Sequence, residues 1–143
     1  MILYLDSSSL LKLYLQEYGS SAVRALVARA DHVYTSCVAY VEGRSGLARA
    51  RRLARLAAAS YRVALDQFEE GWTAVSVVGV PEPLFRHAGD LAEQHGLRGL
   101  DALHLASALA VQRDGGEPVT FSAWDDRLLA AAAAEGLAAA PTA

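Results

Sequence analysis

The sequence predicts an α/β domain in which helices wrap a central parallel sheet of four to five strands. Two observations carry that prediction. Short apolar or β-branched runs alternate with longer segments of helical spacing in the order β-α-α-β-α-α-β-α-α-β-α-β, a pattern that parallel strands joined through helices produce. The 143 residues are 53% hydrophobic with only four prolines, enough for a single domain over residues 1–143 with a substantial, largely helical core.

The opening run Met1-Ile2-Leu3-Tyr4-Leu5 reads as a buried strand and leads into Asp6, Ser7, Ser8 and Ser9. Asp6 thus stands at the carboxyl end of a first strand, where open α/β sheets place their ligands, although an acid there also serves to open a turn or cap a helix. Residues 7–16 and 20–30 have helical spacing on either side of Gly19, with Ser20 or Ser21 as N-cap of the second helix. Residues 32–35 form a β-branched and aromatic run, a second strand. The helix that follows Thr35-Ser36 carries Glu42 on its first or second turn, and Gly43 and Gly46 are expected to loosen what comes after. Cys37 has apolar neighbours and reads as a buried small residue; as the only cysteine it excludes an intramolecular disulfide and a Cys-rich metal site.

Helical spacing continues over 61–72, and 74–80 reads as a strand. Pro81 and Pro83 stop that strand and open a helix running to about His95, with Gly96 as its stop. From Leu100 to Val111 the pattern is apolar nearly all round, as expected of a central helix. Asp114-Gly115-Gly116 makes a turn, 119–122 a fourth strand, 125–135 an Ala-rich helix and 137–140 a weak last strand. The tail over 138–143 is expected to fray.

Thirteen basic and 16 acidic residues leave a formal charge of −3, which neither marks a nucleic-acid binder nor excludes one, because local charge decides. Charged residues interrupt every long apolar stretch and no basic segment precedes the first strand. Neither a membrane span nor a secretory signal is therefore expected, and the expected location is the cytoplasm. The most biased segment is 44–62, where Arg44, Arg49, Arg51, Arg52, Arg55 and Arg62 occur without an acid between them. It reads either as a solvated helix face or as a cationic surface for phosphates or an acidic partner.

Against that background three acids sit in apolar settings. Asp101 opens the most apolar helix, where it either favours the helix N-terminus or points into a cleft shared with Asp6. Glu42 follows Val38-Ala39-Tyr40-Val41, and a further acid, Asp125, follows the fourth strand. If these carboxylates converge, their mutual repulsion demands a proton or a cation among them. Oxygen ligands without Cys or a His pair favour Mg²⁺ or Mn²⁺ over Zn²⁺, and such ions suit phosphodiester hydrolysis.

At these residues the chain resembles the PIN-domain family, and more narrowly the VapC toxins of bacterial type II toxin–antitoxin pairs. The matching pieces are Leu5-Asp6-Ser7-Ser8 with Lys12-Leu13-Tyr14 behind it, Ser36 with Glu42, the block Asp101-Ala102-Leu103-His104-Leu105-Ala106, and Phe121-Ser122-Ala123-Trp124-Asp125-Asp126-Arg127-Leu128. The resemblance implies a compact three-layer α/β sandwich and a Mg²⁺-dependent endoribonuclease acting on RNA. It also implies a homodimer held inactive by a VapB-like antitoxin. Carried over by position, Asp6, Glu42 and Asp101 would be the core metal ligands and catalytic acids, with Asp125 as a fourth. The family often has Thr or Ser two residues before that fourth acid, where this chain has Ala123, and so Asp126 stands as a substitute for Asp125. Ser7 would support the site or cap a helix. His104 would be structural, and Trp72 and Trp124 core or rim aromatics, Trp124 with the option of stacking on an RNA base.

Two rivals are weighed against this reading. An aspartyl phosphatase of the haloacid dehalogenase kind also opens with a strand and Asp, but needs a second Asp two residues on, where this chain has Ser8. A non-catalytic module that kept the fold is disfavoured by retention of all four acids.

Overall fold

In a computed structural model describing residues 1–141, five strands form one all-parallel sheet in the order β3-β2-β1-β4-β5. They are β1 (Ile2–Leu5), β2 (His32–Ser36), β3 (Ser76–Val78), β4 (Val119–Ser122) and β5 (Ala138–Ala140). The helices are α1 (Ser7–Leu11), α2 (Ser20–Arg29), α3 (Val38–Arg52), α4 (Ala58–Trp72), α5 (Glu82–His95), α6 (Gly99–Gly115) and α7 (Asp126–Ala134). The most apolar strand, β1, takes the middle of the sheet between β2 and β4. Its alternating side chains divide the core between two layers of helices. Tyr4 faces a cluster with Phe121, Leu91, Leu105 and Leu128, while Leu3 and Leu5 face one with Val23, Leu47 and Phe68.

Because every strand runs the same way, the chain leaves the sheet at one edge after β1, β2 and β4, and this edge receives Asp6, the start of α3 and Asp125. The start of α6 joins them, as its Arg98 and Asp101 contact that edge.

Several local expectations change. The first helix ends at Leu11 rather than at residue 16; Leu13 and Tyr14 N–H close i→i−3 turns onto Leu10 and Leu11, and the turning chain lets Leu15 reach the core. The N-cap of α2 is Gly19, not Ser20 or Ser21; the Ser20 hydroxyl instead accepts from Glu17 N–H and donates to Leu15 O. Gly43 and Gly46 do not loosen α3, which is continuous. They let neighbours come close: a Cβ at Gly43 would lie 2.5 Å from the Phe68 ring, and one at Gly46 2.6 Å from Leu11. Strand β3 spans three residues, an edge strand that pairs only where β2 faces it. Cys37 is exposed, not buried, because it falls in the turn beyond the end of β2. The last strand pairs with β4 over its whole length, so fraying does not begin at residue 138; residues 142–143 lie outside those described. Among the described residues no helix is long and apolar enough to cross a membrane.

Candidate active site

Asp6 extends from the end of β1 and caps α1, its Oδ1 accepting from Ser9 N–H at 2.8 Å and from the Ser8 hydroxyl at 2.7 Å. Glu42 projects from the second turn of α3, where its Oε1 accepts from the Ser7 hydroxyl and lies 3.0 Å from His104 Nε2. Asp101, in the first turn of α6, accepts from Arg98 Nε at 3.2 Å. Asp125 caps α7 by accepting from Leu128 N–H at 2.9 Å, and its other oxygen lies 3.8 Å from the Arg98 guanidinium. All four acids line one cavity of about 320 Å³, together with Ser7, Ser8, Arg98, His104 and Trp124. Asp126 lies outside it, lining a different groove beside Tyr18 and Leu129.

The electrostatics of the two inner acids differ. Asp6 is only 5% exposed, and burial pushes its carboxyl above the usual range with help from the charge of Asp101; the Ser9 N–H, His104 and the Ser8 hydroxyl offset this only in part. Burial acts in the same sense on Glu42, but the hydrogen bonds from His104 and Ser7 and the charges of His104 and Arg98 outweigh it and hold Glu42 below the usual range. One carboxylate is thus left seeking a cation, while its neighbour is kept ionised by the protein.

The PIN-domain family profile matches residues 3–121, which contain three of these acids, Asp6, Glu42 and Asp101. The chain belongs to the PIN-domain family. It is 40% identical over 140 residues to the ribonucleases VapC45 and VapC49 of Mycobacterium tuberculosis, covering 98% of this chain and 95% of each relative. Within the PIN family it therefore groups with the VapC ribonucleases. Its fold superposes on the crystal structure of VapC20 of M. tuberculosis, a toxin that cleaves the sarcin–ricin loop, with a TM-score of 0.64 and 21% identity over 94% of this chain and 95% of that one.

Other parts of this PIN domain were less legible. His104 is a satisfied core histidine, as expected, with Nδ1 2.9 Å from the Tyr4 hydroxyl; its Nε2, however, reaches both Ser7 Oγ at 2.9 Å and Glu42. Ser7 does not cap α1, a role that Asp6 takes. Its hydroxyl joins Glu42 to His104. Ala123, where the family often has a hydroxyl, is fully buried, and its N–H bonds to Ala140 O; the neighbouring Ser122 hydroxyl meets Ser9 at 2.8 Å, bracing α1 behind Asp6.

Arg98 escaped the sequence reading although it bridges Asp101 and Asp125. The available signal was its place three residues before Asp101, the spacing of neighbours on a helix. In the 44–62 segment Arg44 pairs with Glu69, while Arg49, Arg51, Arg52, Arg55 and Arg62 are exposed and form no ion pair among the described residues. Arg52 lies ten residues beyond Glu42 along α3, about 15 Å of helix away from the cleft. Trp72 packs on Tyr40 with ring centroids 5.2 Å apart, as a core aromatic. Trp124 is partly buried at the cleft rim under Lys12, whose Nζ is 4.8 Å from the ring centroid, and its Nε1–H has no acceptor among the described residues.

The oxygen donors fit a hard divalent ion: four carboxylates and the Ser7 and Ser8 hydroxyls line the cavity around a buried Asp6 whose Oδ2 makes no hydrogen bond among the described residues, while His104 Nε2 is taken by Ser7 and Glu42. No group of three His, Cys, Asp or Glu among the described residues is close enough to enclose an ion, and two of the four acids are engaged by Arg98. A cation in this cavity would have to draw Asp101 and Asp125 away from Arg98, which engages both.

Proposed function

We propose that the protein is a Mg²⁺-dependent endoribonuclease whose action on RNA is restrained by a cognate antitoxin of the VapB kind. The observation that supports this most directly is the meeting of Asp6, Glu42, Asp101 and Asp125 around one cavity in a chain of the VapC type. Asp6 and Asp101 would hold the cation, with Glu42 and Asp125 completing the oxygen donors; Mn²⁺ is an acceptable substitute by the same chemistry. When bound, the ion supplies an activated water and neutralises charge on the attacked phosphate.

The chain's own residues do the positioning. Ser7 and His104 keep Glu42 ionised and fixed in rotamer, so it presents an anionic oxygen donor to the cleft. Arg98, exposed at the rim, is placed to take a phosphate oxygen once Asp101 and Asp125 turn to the cation. In-line hydrolysis by water leaves a 5′-phosphate and a 3′-hydroxyl. A homodimer and an antitoxin segment filling the acidic cleft with a basic side chain complete the reading.

The test is cleavage of single-stranded RNA by purified protein with Mg²⁺ or with EDTA, beside Asp6→Asn and Asp101→Asn. Cleavage that needs Mg²⁺ and is lost in both variants supports the proposal. Equal cleavage by all three proteins would trace the activity to a contaminant and end it.

A further inference from the structure

A second cavity adjoins the acidic cleft and has no part in the chemistry above. It is a groove of about 1000 Å³ between the start of α2 and α7, lined by Glu17, Tyr18, Gly19, Trp124, Asp126 and Leu129 among others. Trp124 lines both this groove and the cleft, so the two are neighbours on either side of one side chain. Tyr18 stands over the junction with 88% of its surface exposed, an unusual amount for an aromatic side chain. Its ring is nonetheless held in place, edge-to-face with Trp124 at a centroid distance of 5.8 Å and an interplanar angle of 80°. The next residue, Gly19, has φ of +89°, and its backbone is pressed so closely on the indole that a Cβ would lie 2.4 Å from it. The loop therefore presents an aromatic face that is both open and fixed.

We propose that this groove is a nucleobase subsite, in which a base next to the cut phosphate leaves the RNA stack and lies on Tyr18. The inference rests on the ribonuclease reading of the cleft. Charge favours a base over a phosphate here: Asp126 contributes a carboxylate with no ion pair among the described residues, Glu17 is paired with Lys12 at 3.0 Å, and among the described residues no Lys or Arg lines the groove. Carboxylates repel phosphate but accept hydrogen bonds from the N–H groups of a base. The cation that could steer the backbone, Arg98, lines the cleft, whereas Lys12 is largely buried and paired with Glu17. Single-strand RNA binders use aromatic faces in this way, which tolerate any base.

Binding is measured in Asp6→Asn protein, to prevent cutting, with a fluorescein-labelled 12-nucleotide single-stranded RNA of random sequence. Tyr18→Ala should weaken binding about 5- to 100-fold, the range of a lost base stack, while Tyr18→Phe stays within about twofold. The dependence of affinity on salt should be the same in all three, because no phosphate contact is removed. Unchanged RNA affinity in Tyr18→Ala overturns the subsite. So does a shallower salt dependence, which would mean a phosphate contact. Cleavage assayed separately with Mg²⁺ distinguishes the two readings. A protein that binds through Tyr18 but never cuts RNA fails as a nuclease, and one that cuts but ignores Tyr18 fails only here.

Discussion

His104 Nε2 lies 3.0 Å from Glu42 Oε1, joining the most apolar helix of the domain to the acid that α3 carries to the cleft. The same ring holds the Tyr4 hydroxyl on its other nitrogen, so one buried side chain ties the central strand, α3 and α6 together at the site. A histidine that satisfies three partners in the core is thereby also what orients a carboxylate at the surface.

Replacing that ring with Phe keeps the volume and removes every hydrogen bond. His104→Phe should lower stability by roughly 2–4 kcal/mol, since Tyr4 loses a partner in a buried setting and Ser7 and Glu42 lose theirs in partly buried ones. His104→Gln, which can still donate and accept, should lose less. The pH dependence follows from Glu42. Its folded pKa lies below the unfolded value, so its contribution is full above the unfolded pKa and is lost as pH falls through the folded one. In His104→Phe this acid-side loss should shrink, since only Ser7 and Arg98 still favour the ionised Glu42, as read from urea midpoints between about pH 3 and 6.

Asp6 has the opposite sign. Its folded pKa is raised, so the native state holds the proton more tightly; the stabilisation this gives is present below the unfolded pKa and is lost as pH rises through the folded one. Near neutrality the ionised, buried Asp6 is a cost to the metal-free protein. Asp6→Asn, which still caps α1, should therefore raise Tm at pH 7 and leave it unchanged in acid. Added Mg²⁺ should raise the wild-type Tm and not that of the variant. A fall in Tm at pH 7 would contradict this account of the acid.

Arg98 now occupies two of the acids that a cation would use. Arg98→Ala should leave stability within about 0.5 kcal/mol, because the side chain is largely exposed. Mg²⁺ binding by calorimetry should tighten roughly two- to fivefold as Asp101 and Asp125 are released, while cleavage slows for want of the phosphate contact. Weaker Mg²⁺ binding would show that Arg98 helps to build the ion site rather than competing with it.

Two glycines offer a matched comparison. Gly19→Ala forces a side chain into left-handed backbone and into the Trp124 ring, and should lower stability by about 1–3 kcal/mol and shift tryptophan fluorescence. Gly89→Ala, inside α5 with nothing within 4 Å of the added Cβ, should raise stability by about 0.5–1 kcal/mol. Thermal melts of the pair report whether the loop is seated on the indole.

Much of this was written in local pattern. The apolar run before Asp6 needed two buried faces and so became the central strand, and the alternation of strands with helices set the parallel sheet and its single ligand-binding edge. Glu42, Asp101 and Asp125 stood out because an acid in an apolar segment is costly to bury without a purpose. What tertiary structure alone decided depends on distance across the fold. Nothing near Gly43 or Gly46 announces that Phe68 and Leu11 will fill the space where a Cβ would stand. Nothing near residue 98 reveals that its guanidinium will reach Asp125, and nothing near Tyr18 that Trp124, over a hundred residues away, will hold it in the open. Periodicity and capping act within a few residues and can be read from the chain; packing partners and ion pairs are set by which surfaces the finished sheet brings together.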